Sequence, residues 1–303
     1  MAESNKNIGN VGLNSPGLES LDTLDPFWQG FEQTYVPQYK VSNQWCASEN
    51  FSLSKSDFVN FLNDSAYGGN QGWYESEGLT YGKNMNNTGC GSIAAANVLM
   101  YYAQVDYQGV GSKIYTNPKY IEKKDYILFA EELYHDYVVQ TVGWSDFNGK
   151  ATSSLGVWTI SQVSSGIIRY AKKRGVSLVS HTLSNKIFNP LEKAVEFIGE
   201  ALKGDCPVVL YVMSNSYCDK LSKEEDPIMA DLHYVTITKM TVIRRKTMYS
   251  DVATGGYVYT DEEITDAQIT ISTWGKENVI SLKELWASDS WGTNSSLAYY
   301  TVK

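Results

Sequence analysis

The chain has 303 residues and a mass of 33.9 kDa, with Lys+Arg 25 against Asp+Glu 34, a net charge of −9 and an isoelectric point near 4.9. The acidic balance argues against a nucleic-acid partner, which needs a basic surface. Four cysteines are too few for a disulfide scaffold, and no run of about 18 apolar residues is present to span a membrane as a helix.

The first residues, Met-Ala-Glu-Ser-Asn-Lys, lack the basic and then apolar pattern of a secretory leader, which points to the cytoplasm. Tyr 22, Trp 8 and Gly 24 with only 19% charged residues lean the other way. Secretion is therefore the alternative, if a leader has been removed. A chain of this length, 43% hydrophobic, can bury most of its apolar surface as one large domain or two lobes.

Residues 1–40 are polar, rich in Gly, Pro and Asn and aperiodic. They predict an arm on the surface, anchored by Phe27, Trp28, Phe31 and Tyr35. Ser54 or Ser56 is placed to cap a short helix over Asp57–Leu62, where Phe58, Phe61 and Leu62 share a face. Residues 64–89 read as a long loop, of the kind more often functional than idle. At Cys90 the chain turns into Cys-Gly-Ser-Ile-Ala-Ala-Ala-Asn-Val-Leu-Met-Tyr-Tyr. The alanines predict a helix, and apolar residues on nearly every face predict that it is central and buried.

Helices over 125–140 and 157–174 follow, the second closed by Lys172, Lys173, Arg174 and then Gly175. A fourth begins with Asn189 as cap and Pro190 in first position and ends near Gly204. The period then changes. Pro207–Met213, His233–Ile243, Gly256–Thr260, Ala267–Trp274 and Leu297–Val302 read as strands, with a turn at Gly255-Gly256 and a solvated loop tip at 223–226. Helices before residue 205 and strands after it make an α+β architecture. A helical lobe (about 41–205) and an antiparallel β lobe (about 206–303) form one unit over 41–303.

The reactive residues are few: His135, His181 and His233, with Cys46, Cys90, Cys206 and Cys218. No cysteine pair is spaced C-x-x-C and there is no H-E-x-x-H, so no metal site is expected. The absence of a P-loop and of G-x-S-x-G removes P-loop nucleotide hydrolysis and a typical serine-hydrolase elbow. Cys90 lies between Gly89 and Gly91 at the start of a helix, where unpaired N–H groups and the dipole favour a thiolate. A buried cysteine among small residues is the plainer alternative. His233 opens an alternating strand and is placed to face a cleft. His135 reads as a helix-surface residue near Glu131 and Glu132, and His181 as a loop residue.

Thr88-Gly-Cys-Gly-Ser-Ile-Ala-Ala-Ala-Asn-Val-Leu resembles the nucleophile helix of papain-like cysteine peptidases, nearest to the bacterial bacteriocin-processing (C39-like) and streptopain groups. Upstream, Gln71-Gly-Trp73, Tyr81-Gly82 and Gly89-Cys90-Gly91 resemble the Gln…Trp…Tyr-Gly…Gly-Cys-Gly pattern of the C39-like proteins. Gly204-Asp-Cys-Pro207-Val-Val-Leu-Tyr, His233-Tyr-Val-Thr-Ile and Ser272-Thr-Trp274-Gly275 are similar, in order, to the family's helix-to-strand turn, histidine strand and Asn-Ser-Trp-Gly segment. The matches span about residues 70–290.

The resemblance implies a papain-like fold and a peptidase or amide-bond thiol hydrolase that needs no metal or organic cofactor and takes a peptide or protein substrate. Cys90 is then the nucleophile, held as an ion pair by His233, which protonates the leaving amine. The Cys90 N–H and a side-chain amide, Gln71 or in reserve Asn84, stabilise the oxyanion, at about 3 kcal/mol per donor. Both amides could equally bond their own loops. The sequence departs from the pattern at the residue that orients the histidine, where Ser272 stands, with Thr273 beside it, in place of Asn or Asp. Asp231 or Asp266 are the carboxylates that could substitute. Trp274 either shields the histidine contact or packs in the core. The departure leaves open a degenerate relative that binds a peptide or partner without cleaving. A thiol acyltransferase uses the same Cys–His logic.

Overall fold

The alanine-rich run is the axis of the molecule. The computed structural model describes residues 38–74, 82–138, 157, 159–184, 189–213, 216–223, 228, 232–289 and 295–303, without the side chains of 82–84. The N-terminal arm and its four aromatic anchors, and most of the loop tip at 223–226, lie outside these residues.

In chain order the elements are β1 (Tyr39–Ser52), a 3-10 turn over Gln71–Tyr74, α1 (Gly82–Thr88), α2 (Cys90–Gln104), α3 (Gly111–Ile114) and α4 (Lys123–Glu132), which runs into a π-helical turn over Leu133–Val138. Next come α5 (Ile160–Lys173), β2 (Leu178–Ser184), α6 (Leu191–Lys203), β3 (Val208–Val212) and α7 (Ser216–Leu221). The chain closes with β4 (His233–Asp251), β5 (Tyr257–Thr273), β6 (Lys276–Ser281), α8 (Leu282–Ala287) and β7 (Ser296–Val302).

One antiparallel sheet runs in the order β2-β7-β3-β4-β5-β6, with β1 pairing along the far half of β4. The protein is α+β, as its pattern predicts. Every residue of α2 after Cys90 is buried, and the helix packs on β3, β4, α3, α4 and α5. Alanine at three consecutive positions gives the neighbours close approach on all sides, which an amphipathic helix does not allow.

Several elements differ from expectation. Asp57–Leu62 is a turn, not a helix: Phe58 takes a left-handed φ of +49°, and Lys55 Nζ ties the Asp57 carboxylate, the Phe58 carbonyl and the Asn60 amide oxygen together. The supposed loop 64–89 contains α1 and the 3-10 turn. Pro190 is the cap position of α6, and Asn189 donates to the Ser184 carbonyl instead. His181 lies in β2, its ring stacked on Tyr299.

The strands are also not confined to the second half, since β1 and β2 precede residue 205, while α7 and α8 follow it. The expected pair Gly256–Thr260 and Ala267–Trp274 is one strand, β5. Its Asp261-Glu262-Glu263 interruption is absorbed by cross-strand pairs of Glu262 with Arg244 and Lys246 and of Glu263 with Arg245. All four cysteines are free. No helix among the described residues is long and apolar enough to cross a membrane.

The tyrosines are mostly core. Tyr101, Tyr102, Tyr126, Tyr170 and Tyr300 are fully buried, each with its hydroxyl bonded. Tyr101 donates to Asp205 at 2.6 Å, and the same carboxylate accepts from the backbone N–H and hydroxyl of Ser54, each at 2.8 Å. This carboxylate clasps the end of β1 to the central helix. Asp205→Ala is expected to cost about 1–3 kcal/mol, because it removes the shared acceptor of the Tyr101 hydroxyl and of both Ser54 donors. Urea unfolding measures the loss, and a change below experimental error would show that the clasp does not hold.

Candidate active site

Cys90 is the first residue of α2, and Gly89 makes that placement possible. A Cβ on Gly89 would lie 2.4 Å from the Met85 carbonyl oxygen, so only glycine lets α1 run directly into α2. His233 is the first residue of β4 and is 6% exposed. Together with Gly69, Gln71, Asn97, Thr236, Ser272, Thr273 and Trp274, the two line one narrow cleft. Cys90 and His233, placed 143 residues apart in the chain, therefore meet at one site because α2 packs across the start of β4.

The imidazole is held on two sides. His233 Nε2 is 2.9 Å from Thr273 Oγ1, and the ring lies parallel to the Trp274 indole with centroids 4.4 Å apart. Thr273, not Ser272, is thus the residue against the histidine. Ser272 donates to the Tyr67 carbonyl at 2.7 Å, fixing the 67–69 segment that forms the cleft wall. Gly68 is required there, since a Cβ would meet Ser272 Oγ at 2.4 Å and the residue has φ +80°. Asp266 lies far along the β4–β5 hairpin, opposite Ile243, and does not reach the ring. Asp231 is outside the described residues.

Strained backbone brackets the pair. Trp274 has φ +47° and Gly275 φ +73°, forming the two-residue turn between β5 and β6. Leu232, just before the histidine, has φ +54°, and its carbonyl receives a long S–H contact of 3.9 Å from Cys90. A bulky residue in the left-handed region costs roughly 1–2 kcal/mol, and such strain gathers where function requires a geometry.

Burial decides the charge state. It raises the Cys90 thiol above its ordinary range, although the backbone N–H groups of Tyr234, Gly91 and Cys90 face the sulfur and pull the other way. Burial lowers the His233 imidazole to about 4. Burial therefore favours a neutral thiol and a neutral imidazole, against both the thiolate that the helix start favours and the ion pair that the resemblance implies. Desolvation of the charged forms outweighs the partial charge of the helix end.

Gln71 lines the cleft and donates Nε2 to the Asn86 carbonyl at 2.6 Å, leaving its second N–H and a buried, unpartnered Oε1. Asn84 is in α1, with its side chain outside the described residues. Two further groups escaped the sequence reading. Asn97 accepts from the Gly69 N–H at 2.9 Å and the Tyr126 hydroxyl at 2.7 Å, pinning the cleft wall to α2; an asparagine inside an apolar helix was the available signal. Thr236 Oγ1 is buried without a partner in the cleft, and nothing in an alternating strand marks it out.

His135 contacts Asp136 on an exposed surface. Among the described residues no group of three or more metal-ligating side chains is gathered. Comparisons with protein-family models, with curated proteins and with solved structures found no match.

The depressed His233 value couples the site to stability. Unfolded, the ring protonates near 6.5; folded, near 4. Between those values the unfolded chain binds the extra proton, so this contribution is complete above about pH 6.5 and falls away towards pH 4, by about 3 kcal/mol in all. The difference between the wild-type and His233→Gln stability curves over pH 4–7 isolates it. A difference independent of pH would mean that the ring titrates normally.

Proposed function

We propose that this chain is a papain-like thiol hydrolase of amide bonds, a cysteine peptidase in which Cys90 is the nucleophile and His233 the general base and acid. The observation that carries the reading is a thiol at the first residue of a buried helix and an imidazole at the first residue of a strand, lining one cleft. Thr273 and Trp274 fix the ring.

Chemistry follows from the neutral pair. As Cys90 Sγ bonds to the substrate carbonyl carbon, its proton passes to the free ring nitrogen of His233, Nδ1. The oxyanion is met by the N–H groups at the start of α2 and by the second N–H of Gln71. His233 then gives its proton to the leaving amine, the C–N bond breaks, and a thioester remains. Water attacks that thioester, losing its proton to His233, and releases the acid and the thiol. No metal or organic cofactor enters these steps. The unpartnered Gln71 Oε1 and Thr236 Oγ1 in the cleft wall offer hydrogen bonds to the substrate's own amide groups.

A second reading, a cleft that binds a peptide without cleaving it, is favoured by the neutral charge state, which lacks a preformed thiolate. A peptide library incubated with the protein and read by mass spectrometry separates the two. Hydrolysis lost in Cys90→Ala and reduced roughly 100-fold or more in His233→Ala supports the enzyme. Retention of peptides without cleavage, with Cys90 alkylated equally fast in wild type and His233→Ala, removes it. If amines capture the acyl group in preference to water, the protein is an acyltransferase.

Two finer outcomes follow for the enzyme. The acid limb of kcat/KM lies near pH 4 and not near 6.5, because His233 stays neutral down to about 4. Trp274→Asn creates an Asn-Gly turn, the sequence best suited to a two-residue hairpin. Melting temperature is expected to hold or rise while turnover falls, since the ring loses its stacking partner. Loss of both together would make Trp274 an ordinary core residue.

A further inference from the structure

The outer halves of β4 and β5, with β1 beside them, form a three-stranded ribbon whose exposure contrasts with the buried sheet. Twelve of the 14 residues of β1 are exposed, among them Tyr39, Val41 and Trp45. Such a ribbon has two open edges. The outer edge of β5 is unpaired among the described residues from Tyr257 to Ala267, because its pairing with β6 starts only at Gln268, opposite Ser281. That edge carries Asp261, Glu262, Glu263 and Asp266, the charge device by which edges resist pairing. The outer edge of β1 is also unpaired among the described residues, since β1 pairs only with β4. It lacks that protection: from Val41 to Ser48 it has no charge and no proline.

We propose that the free edge of β1 pairs antiparallel with β1 of a second copy of this chain, about a two-fold axis at Trp45. Strand chemistry limits the register. Alternate residues turn their N–H and C=O outward, so a two-fold antiparallel pair places its axis through a residue, never between two. With the axis at Trp45, Gln44 opposes Cys46 of the second copy and Asn43 opposes Ala47. β1 has a one-residue bulge between Val41 and Asn43, which sets two residues against one. Beyond it, Lys40 falls opposite Glu49 of the second copy, and by symmetry Glu49 opposite Lys40.

The only two charges of β1 thus meet as opposite pairs on one face. Lys40 makes no ion pair among the described residues, and Glu49 has only a loose contact with Arg244 at 3.8 Å. The two Trp45 rings sit side by side at the axis, on the face shared with Lys246.

Sedimentation equilibrium of the full chain over a range of concentrations tests this. A species of twice 33.9 kDa is expected. Trp45→Lys sets two ammonium groups together at the axis and weakens association about tenfold or more, with circular dichroism unchanged. Lys40→Glu and Glu49→Lys each weaken it, and the double exchange restores it. Gln44→Cys forms a covalent dimer with Cys46 of the second copy on mild oxidation. A monomer at every concentration overturns the proposal, and so does a dimer indifferent to Trp45→Lys and to the charge reversals.

Discussion

Burial of α2 over its whole length beyond Cys90 is the constraint on which the rest of the structure depends. A helix clad on all sides fixes its own first residue in space to within a packing contact, because neither end can shift without opening the core. Cys90 inherits that rigidity. The wall opposite is equally fixed: Asn97 from inside the helix holds Gly69, and Ser272 from the sheet holds Tyr67. The cleft is a seam between two packed layers, held by groups that serve the core as well.

That origin also explains the electrostatics. A seam between packed layers is poor in water, and beside the thiol the groups lining it are hydroxyls, amides, rings and aliphatic side chains with no carboxylate among them. Both reactive groups therefore lose their charged forms to desolvation, and a hydroxyl, Thr273, completes the histidine's contacts. The strain at Leu232 and Trp274 is the local cost of turning two strand ends towards the thiol within this seam.

Much of this was legible in residues whose pattern has a single physical reading. Cys90-Gly-Ser-Ile-Ala-Ala-Ala admits only a buried helix, and it is one. Val208–Val212 and the start of β4 are apolar or alternating because both belong to the sheet's covered half. The illegible parts lack such a pattern. β1 has no alternation because neither of its faces is buried, and β5 was split by carboxylates whose partners lie on another strand. Asp57–Leu62 has helical spacing, but Lys55 holds the turn through three oxygens, which no periodicity reports. Ser272 and Thr273 were adjacent candidates. Only the pleat, which sends neighbours to opposite faces, decides that Thr273 meets the ring and Ser272 the Tyr67 carbonyl.

The neutral state of Cys90 reaches beyond acid–base chemistry. Oxidation of cysteine to sulfenic acid follows thiolate character and access. A half-buried thiol whose ionisation is suppressed reacts slowly with peroxide, and the exposed Cys46 on β1 is the sulfur that meets oxidant first. A thiol kept neutral in this way does not depend on a reducing compartment to stay unoxidised.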